Sequence, residues 1–355
     1  MASSYLTLVN NVLRDLNEVE LTSSTFSSSR GIQTSTKGYI NRAISDLINA
    51  ELNWSFTRAE GSLPIIAGKQ LYDKAAISSS LKYVDYDTMF LEPKDFITNG
   101  DYEVSGSASI TGWTTVSGTP SASTKFGNTL LLSSAVATQQ IDDLIVGEEY
   151  IVVTQVTGST ATLKIGTSSN GSQTATATLT VSNTNETVFT ETTFTATAST
   201  HFITFEESSG NNAHINTVSL TENDTAPKRL EYISYEEWTS RFREADSVSD
   251  KNKFDVPEYV FTTYNEEVGL SPIPIKSNYV LKFDYYITHT DLSDATDTSI
   301  IPTRFENVIT NRAKYYAYTL RGEIPNAQLA QQDFENGIKR MRVELINRKN
   351  YMRAV

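Results

Sequence analysis

Between residues 99 and 223 the chemistry of the chain changes abruptly. Residues 99–222 hold 44 Ser and Thr, more than a third of the segment, and two basic residues, Lys125 and Lys164, against eleven acidic ones. That is a net charge of −9, whereas the other 231 residues together carry −4. Such a bias fits either a disordered linker or a solvated β fold. The order of the residues separates the two. In Thr174-Ala175-Thr176-Ala177-Thr178-Leu179-Thr180-Val181 apolar and hydroxyl side chains alternate strictly, and Ala161, Leu163 and Ile165 alternate with Thr162 and Lys164. Alternation with period two puts one set on each face of a strand, and threonine is a good strand former for the wet face. Tyr150-Ile151-Val152-Val153 adds a continuous apolar run, and Ser169-Asn170-Gly171-Ser172 and Gly210-Asn211-Asn212 supply turns. Several short strands at this spacing predict a β-sandwich.

The flanks carry helical periodicity instead. Residues 4–18 place Leu6, Val9, Val12 or Leu13, and Leu16 on one face, and residues 36–54 do so with Ile40, Ile44, Leu47, Ile48 and Leu52 before Trp54 and Phe56. Residues 63–96 turn to strand and turn signals. Beyond the Ser/Thr-rich segment, Arg229–Ser234 reads as a strand, Glu236–Phe242 as a short helix, and 259–261, 267–270 and 279–287 as further strands. Pro302 opens a helix, where its missing N–H costs nothing. After Gly322 and Pro325 a long last helix carries Phe334, Ile338, Met341 and Leu345 at helical spacing. The predicted fold class is α+β. A helical bundle from both chain ends plus a small β region (1–98 and 224–355) is interrupted by an inserted β-sandwich (99–223). A surface loop with neighbouring ends is where such an insertion is tolerated.

Composition narrows the chemistry. The absence of cysteine excludes thiol nucleophiles, disulfides and cysteine-based metal sites. The three histidines, His201, His214 and His289, form no HExxH or HxH pattern, so a histidine zinc centre is not expected. Neither a GxSxG elbow nor a Gly-rich phosphate loop after a strand occurs. The pairs Asp142-Asp143, Glu148-Glu149, Glu206-Glu207 and Glu266-Glu267 invite an acid–base reading, yet neighbours on a strand point to opposite faces, so solvated surface is their expected role. His201, in the alternating run Thr200–Phe205, is expected at an outward or rim position. No catalytic residue is therefore assigned, and the chain is not expected to be an enzyme.

No apolar stretch reaches roughly 18 residues, so no membrane partner is expected, and Met1–Tyr5 lacks the basic start of a signal peptide. A net charge of −13 disfavours wrapping nucleic acid by bulk charge, while it permits a channel that DNA merely passes through. The last helix gathers cations: Lys339, Arg340, Arg342, Arg348, Lys349 and Arg353 face only Glu344. This is either a solvated helix face, or a surface that docks onto an acidic partner or lines a nucleic-acid path. Trp54, Trp238, Tyr315 and Tyr316 fall at helical positions and are expected in a core or a subunit interface. Trp113 is either a core residue of the sandwich or a platform for stacking a sugar.

Several short motifs in the flanks occur in a telling order: Leu8-Val9-Asn10, Trp54-Ser55-Phe56, Leu91-Glu92-Pro93-Lys94-Asp95-Phe96, Glu231-Tyr232-Ile233-Ser234-Tyr235-Glu236-Glu237-Trp238, Pro257-Glu258-Tyr259, Gly269–Pro274, Lys282–Tyr286, Leu292-Ser293-Asp294 and Ile301-Pro302. This order resembles the head-to-tail adaptor family of tailed phages, which includes tail tubular protein A of short-tailed phages. In that family the segment matching Leu91–Phe96 leads within a few tens of residues to the one matching Tyr235–Trp238. Here about 130 residues intervene, in agreement with an insertion. The resemblance implies a virion protein of the neck and tail. It would form a dodecameric ring between the portal protein and the tail nozzle protein, continuing the channel through which double-stranded DNA is ejected. It also implies that the last helix meets the portal, with Phe334, Ile338, Met341 and Leu345 as an apolar stripe flanked by Lys339, Arg340, Arg342, Arg348 and Lys349.

In the Ser/Thr-rich segment, Asn99-Gly100-Asp101-Tyr102-Glu103, Gly112-Trp113, Gly147-Glu148-Glu149-Tyr150 and His214–Leu220 follow the order of jelly-roll carbohydrate-binding modules. That resemblance implies a jelly-roll shape, a glycan contact at Trp113 and a structural calcium held near Asn99, Asp101, Glu103 and Asn216, although Asn216 and Thr217 stand where those modules carry two acids. Apart from that calcium no cofactor is expected. The inserted sandwich would meet tail fibres, a neighbouring subunit or a host glycan. The alternative reading is a secreted or surface glycan-binding protein whose helices oligomerise it.

Overall fold

The computed structural model of the protein describes residues 3–103, 110–246 and 251–346. The chain opens with α1 (Tyr5–Asp15) and α2 (Ile32–Asn49), followed by β1 (Arg58–Pro64), β2 (Leu71–Tyr72) and the long β3 (Leu81–Pro93). Ten strands come next: β4 (Thr114–Ser117), β5 (Ser121–Ser123), β6 (Thr129–Leu132), β7 (Ala135–Ile141), β8 (Glu149–Thr157), β9 (Ala161–Gly166), β10 (Ala175–Leu179), β11 (Thr187–Thr195), β12 (His201–Glu207) and β13 (Ala213–Glu222). The remainder is β14 (Lys228–Arg229), β15 (Glu231–Tyr232), α3 (Tyr235–Arg241), β16 (Tyr259–Thr262), β17 (Val268–Ser271), β18 (Tyr279–Ile287), α4 (Glu306–Arg321) and α5 (Ile324–Leu345).

Helix α1 starts where the Ser4 hydroxyl accepts the Thr7 N–H, a side-chain cap for an otherwise unpaired donor. Its apolar positions bury Tyr5, Leu8, Val9, Val12 and Leu13 on one face. Helix α2 buries Ile40, Ala43, Ile44, Leu47 and Ile48 in the same way. It ends at Asn49, short of the expected limit, so Leu52 falls outside the helix and is 62% exposed. Trp54 is fully buried, and its indole N–H donates to the Leu47 carbonyl at 2.9 Å. At the other end of the chain α4 stops at Gly322, whose φ of +74° is the left-handed cap that glycine adopts without penalty. Helices α1, α2, α4 and α5 bury one shared apolar cluster, from Tyr5 and Leu8 to Phe334 and Met341. Ion pairs cross it at its rim: Arg312 with Asp46 at 2.7 Å, Arg342 with Glu51 at 2.5 Å, and Arg321 with Glu18.

Strands β4 to β13 form two five-stranded antiparallel sheets, ordered β10-β9-β12-β7-β4 and β11-β8-β13-β6-β5. Their inward side chains, among them Leu130, Leu132, Tyr150, Val152, Leu163, Ile203, Phe205 and Leu220, build one core, which makes the pair a β-sandwich. The alternation in Ala175–Leu179 comes out as expected: Leu179 is buried, Ala175 and Ala177 are half-buried, and the threonines between them are exposed.

Two smaller sheets use strands from both sides of the sandwich in sequence. One is antiparallel, ordered β1-β18-β3-β14; the other is ordered β15-β16-β17-β2, with β15 parallel to β16. The chain leaves for the sandwich at the end of β3 and returns in β14, which pairs with β3 through Lys228 opposite Leu91 and Arg229 opposite Phe90. Departure and return are therefore neighbours in one sheet. The single strand expected over Arg229–Ser234 is two short ones in different sheets. Leu230, 3% exposed, anchors the crossing: its N–H donates to Met89, while the N–H of Glu231 donates to Glu258.

Candidate docking surfaces

The apolar stripe on α5 is committed inside the molecule. Phe334, Ile338 and Met341 are 8%, 5% and 0% exposed and pack in the shared helical cluster, with Leu345 half-buried against it. A stripe with helical period needs a partner, and here the partner is the chain's own α1, α2 and α4, so the expected role of these residues in docking to a portal is corrected. Gly337 lets the two helices approach: a Cβ there would lie 2.6 Å from Cγ2 of Val308 on α4. The cations divide. Arg342 is bound to Glu51, and Arg340 pairs with Glu344 at 2.9 Å, one turn on, where Arg304 also reaches at 3.4 Å. Lys339 is exposed and has no ion pair among the described residues. Arg348, Lys349 and Arg353 lie outside the described residues. On α5, Leu329 and Val343 are 60% and 55% exposed, and Val343 lies one turn beyond Lys339.

In the sandwich, Trp113 is half-buried and lines a cavity of about 250 Å³. Its ring lies between those of Tyr102 and Phe205, each 5.6 Å away, and its indole N–H is buried without a partner. The residues expected around a calcium do not converge. The Asn99 carboxamide closes its own turn, accepting from the Glu103 N–H at 2.7 Å and donating to Thr111 at 3.3 Å. Asn216 accepts from the Thr157 hydroxyl at 2.9 Å and donates to Phe126 at 3.2 Å. Asp101 and Glu103 are exposed, and no group of three His, Asp or Glu that could hold a metal occurs among the described residues.

His201 is fully buried, not at the rim. The inward set of β12 is His201, Ile203, Phe205 and Glu207, and the imidazole packs 5.5 Å from Phe194 with Nε2 accepting from the Thr197 N–H at 3.4 Å. Burial pulls its pKa below the ordinary histidine value. The adjacent acids of this strand part company: Glu206 pairs with Lys164, while buried Glu207 accepts N–H groups of Ser134, Ser209 and Gly210. Although burial raises the Glu207 pKa, these bonds together hold it below the ordinary carboxylate value.

The junction of the sandwich with the smaller sheets carries polar contacts that no local motif announces. Asp95 accepts the N–H groups of Leu220 at 3.0 Å and Ile97 at 2.8 Å, and the Lys94 N–H donates to Asn278. The Lys276 ammonium sits between Glu222 at 2.5 Å and Glu148 at 3.2 Å, and Asn278 donates to Glu222 at 3.0 Å. Burial lowers the Lys276 pKa, but the bonds to both glutamates reverse this and leave it raised. A cavity of about 440 Å³ beside this cluster is lined by Lys94, Phe96, Ile145, Tyr150 and Ile275.

No curated protein matches the chain. Among solved structures, the enzymatically active domain of tailspike protein 4 from bacteriophage CBA120 shares 17% identity over 36% of this chain and 21% of its own, at a TM-score of 0.29. The module TmCBM61 bound to β-1,4-galactotriose shares 11% identity over 37% of this chain and 99% of its own, also at 0.29. A putative sugar-binding protein from Bacteroides thetaiotaomicron shares 11% over 37% and 100%, at 0.29. The chain thus spans about a fifth of the tailspike protein, and all three likenesses are too slight to bear on fold or function. The sequence model of the SU10 adaptor protein family is different in kind: it matches residues 172–355, which is just over half of the chain and runs from the turn before β10 through the smaller sheets to α5. The chain belongs to the SU10 adaptor protein family.

Proposed function

We propose that this adaptor protein is the head-to-tail connector of a tailed-phage virion. Twelve copies would form a ring between the portal protein and the tail nozzle protein, and the ring would continue the DNA channel. The observation that carries this reading is the family match over residues 172–355, which covers β10 to β13 of the sandwich, β14 to β18 of the smaller sheets, and α3, α4 and α5. In this reading the chain comprises an adaptor unit, 1–98 with 224–355, and an inserted sandwich, 99–223. The return of the chain beside its point of departure, at β3 and β14, supports that division.

The sandwich would sit outside the ring, since twelve such bodies pointing inward would block DNA. There it would meet tail fibres or a host surface. The portal would rest on the outer face of α5, at Lys339, Leu329 and Val343, and on the cations beyond residue 346. The overall charge of −13 favours a channel wall to which DNA does not stick, because each neutralised phosphate would add salt-dependent affinity. The test is to mix the purified chain with its portal protein and image the complex by cryo-electron microscopy. A twelve-fold ring on the portal is expected, and absence of association or a different copy number would refute the assignment.

A further inference from the structure

One end of the sandwich holds a polar pocket of about 450 Å³, within the range of small-molecule sites of about 300–1,000 Å³. It lies among the loops that join β5 to β6, β8 to β9, β10 to β11 and β12 to β13, and it is lined by Lys125, Asn185, Asn211, Asn212 and His214 with neighbouring Ser and Thr. His214 is 2% exposed and held in place: its Nδ1 is 3.0 Å from the Thr129 hydroxyl and Phe126 packs edge-on at 5.0 Å. The opposite edge of the ring faces Gly158, which itself borders the pocket; a Cβ on Gly158 would come within 3.2 Å of His214 Cδ2. Among the described residues the Asn185 and Asn212 amides have no side-chain partner, so they are free to donate and accept.

Charge distinguishes this end from the rest of the sandwich. Only two lysines occur in residues 99–222, and Lys164 is neutralised by Glu206. Lys125 has no ion pair among the described residues, and no carboxylate lines the pocket beside it. In a segment of net charge −9, this is where an anion meets a cation rather than repulsion.

We infer that this end pocket binds a carboxylated sugar, with Lys125 meeting the carboxylate, the Asn185 and Asn212 amides meeting the hydroxyl groups, and buried His214 forming the floor. Amides that can both donate and accept suit a polyol, whose hydroxyl groups both give and take hydrogen bonds. A hexuronate and a sialic acid present the same chemistry, a pyranose bearing one carboxylate. The inference rests on the reading of the sandwich as an outward-facing binding body.

The test is calorimetric titration of the full-length protein with trigalacturonate, with sialyllactose and with neutral maltotriose. Binding of at least one acidic probe, weaker at high salt and absent for maltotriose, is expected. Lys125→Gln should weaken it by about two- to fivefold, the contribution of one exposed ion pair, whereas Lys164→Gln should leave it unchanged. No binding of either acidic probe, equal binding of maltotriose, or an undiminished affinity in Lys125→Gln would overturn the site. Portal association is measured on the same preparations. If association persists without sugar binding, the pocket assignment alone fails; if association is lost while an acidic sugar binds through Lys125, the connector reading fails and the pocket stands.

Discussion

Replacing Gly337 by alanine sets two well-known effects against each other. In the middle of a helix alanine is favoured over glycine by about 1 kcal/mol, and α5 places Gly337 well inside Ile324–Leu345. The new Cβ, however, would lie 2.6 Å from Cγ2 and 3.1 Å from Cγ1 of Val308, a residue 1% exposed. Forcing a methyl group into a packed contact costs about 1–3 kcal/mol, so the variant should be less stable by up to about 2 kcal/mol. Val308→Ala alone removes two buried methyl groups and should cost about 2 kcal/mol. The double variant relieves the collision and partly refills the gap, so it should be more stable than the sum of the single variants by about 1–2 kcal/mol. Urea unfolding followed by circular dichroism at 222 nm, where the helices dominate, measures all four proteins. A Gly337→Ala protein more stable than the parent by the full gain of about 1 kcal/mol, or strict additivity in the double variant, would mean that α4 and α5 do not approach as closely as described.

Three further outcomes are expected. The segment 99–223 expressed alone should melt cooperatively with a β-type spectrum, because its buried core residues, Ile97 apart, come from within it; a random-coil spectrum would count against the boundary. In acid the sandwich should lose stability as pH falls below about 6.5, the unfolded imidazole value, because His201 and His214 are buried and their folded pKa values lie below it. The thermal midpoint of 99–223 should drop between pH 6.5 and 5, and His201→Phe should flatten the slope. Lys276→Ala leaves the Glu222 carboxylate, 4% exposed on its side chain, without its cation; the loop at Asp224–Pro227 should then be cut faster by protease, and an unchanged cleavage rate would count against the contact.

Periodicity made much of this fold legible before any coordinates. The faces of α1 and α2 and the strands β8, β9 and β10 follow from spacing alone, because a face that must be buried repeats at the period of its element. What periodicity does not carry is the identity of the covering surface. The stripe at Phe334, Ile338 and Met341 is correctly apolar, but its spacing does not say that α4, the helix just before it, covers it together with the cluster of α1 and α2. His201 has the right alternation, yet nothing in an alternating run tells which of its two faces turns inward when both hold apolar residues, as Phe202 and Ile203 do. Leu230 interrupts a run that reads as one strand, since a crossing between sheets is a tertiary event. Lys276 and Glu222 are 54 positions apart, so no local pattern pairs them. The end pocket gathers its lining from four loops distant in sequence, and no local pattern announces it.

The bond between the two chain ends also has a consequence for synthesis. Asp46 waits for Arg312, 266 residues later, and Glu18 for Arg321, 303 residues later. At about 5–20 residues per second of translation, that interval is roughly 15–60 s. Throughout it the apolar faces of α1 and α2 have emerged while α4 and α5 do not yet exist. The strands β4 to β13 have their partners by residue 222 and can pair well before that. Folding on the ribosome therefore runs from the middle of the chain outward, and a nascent chain arrested near Pro302 should be protected from protease over 110–222 but open to it over 3–50.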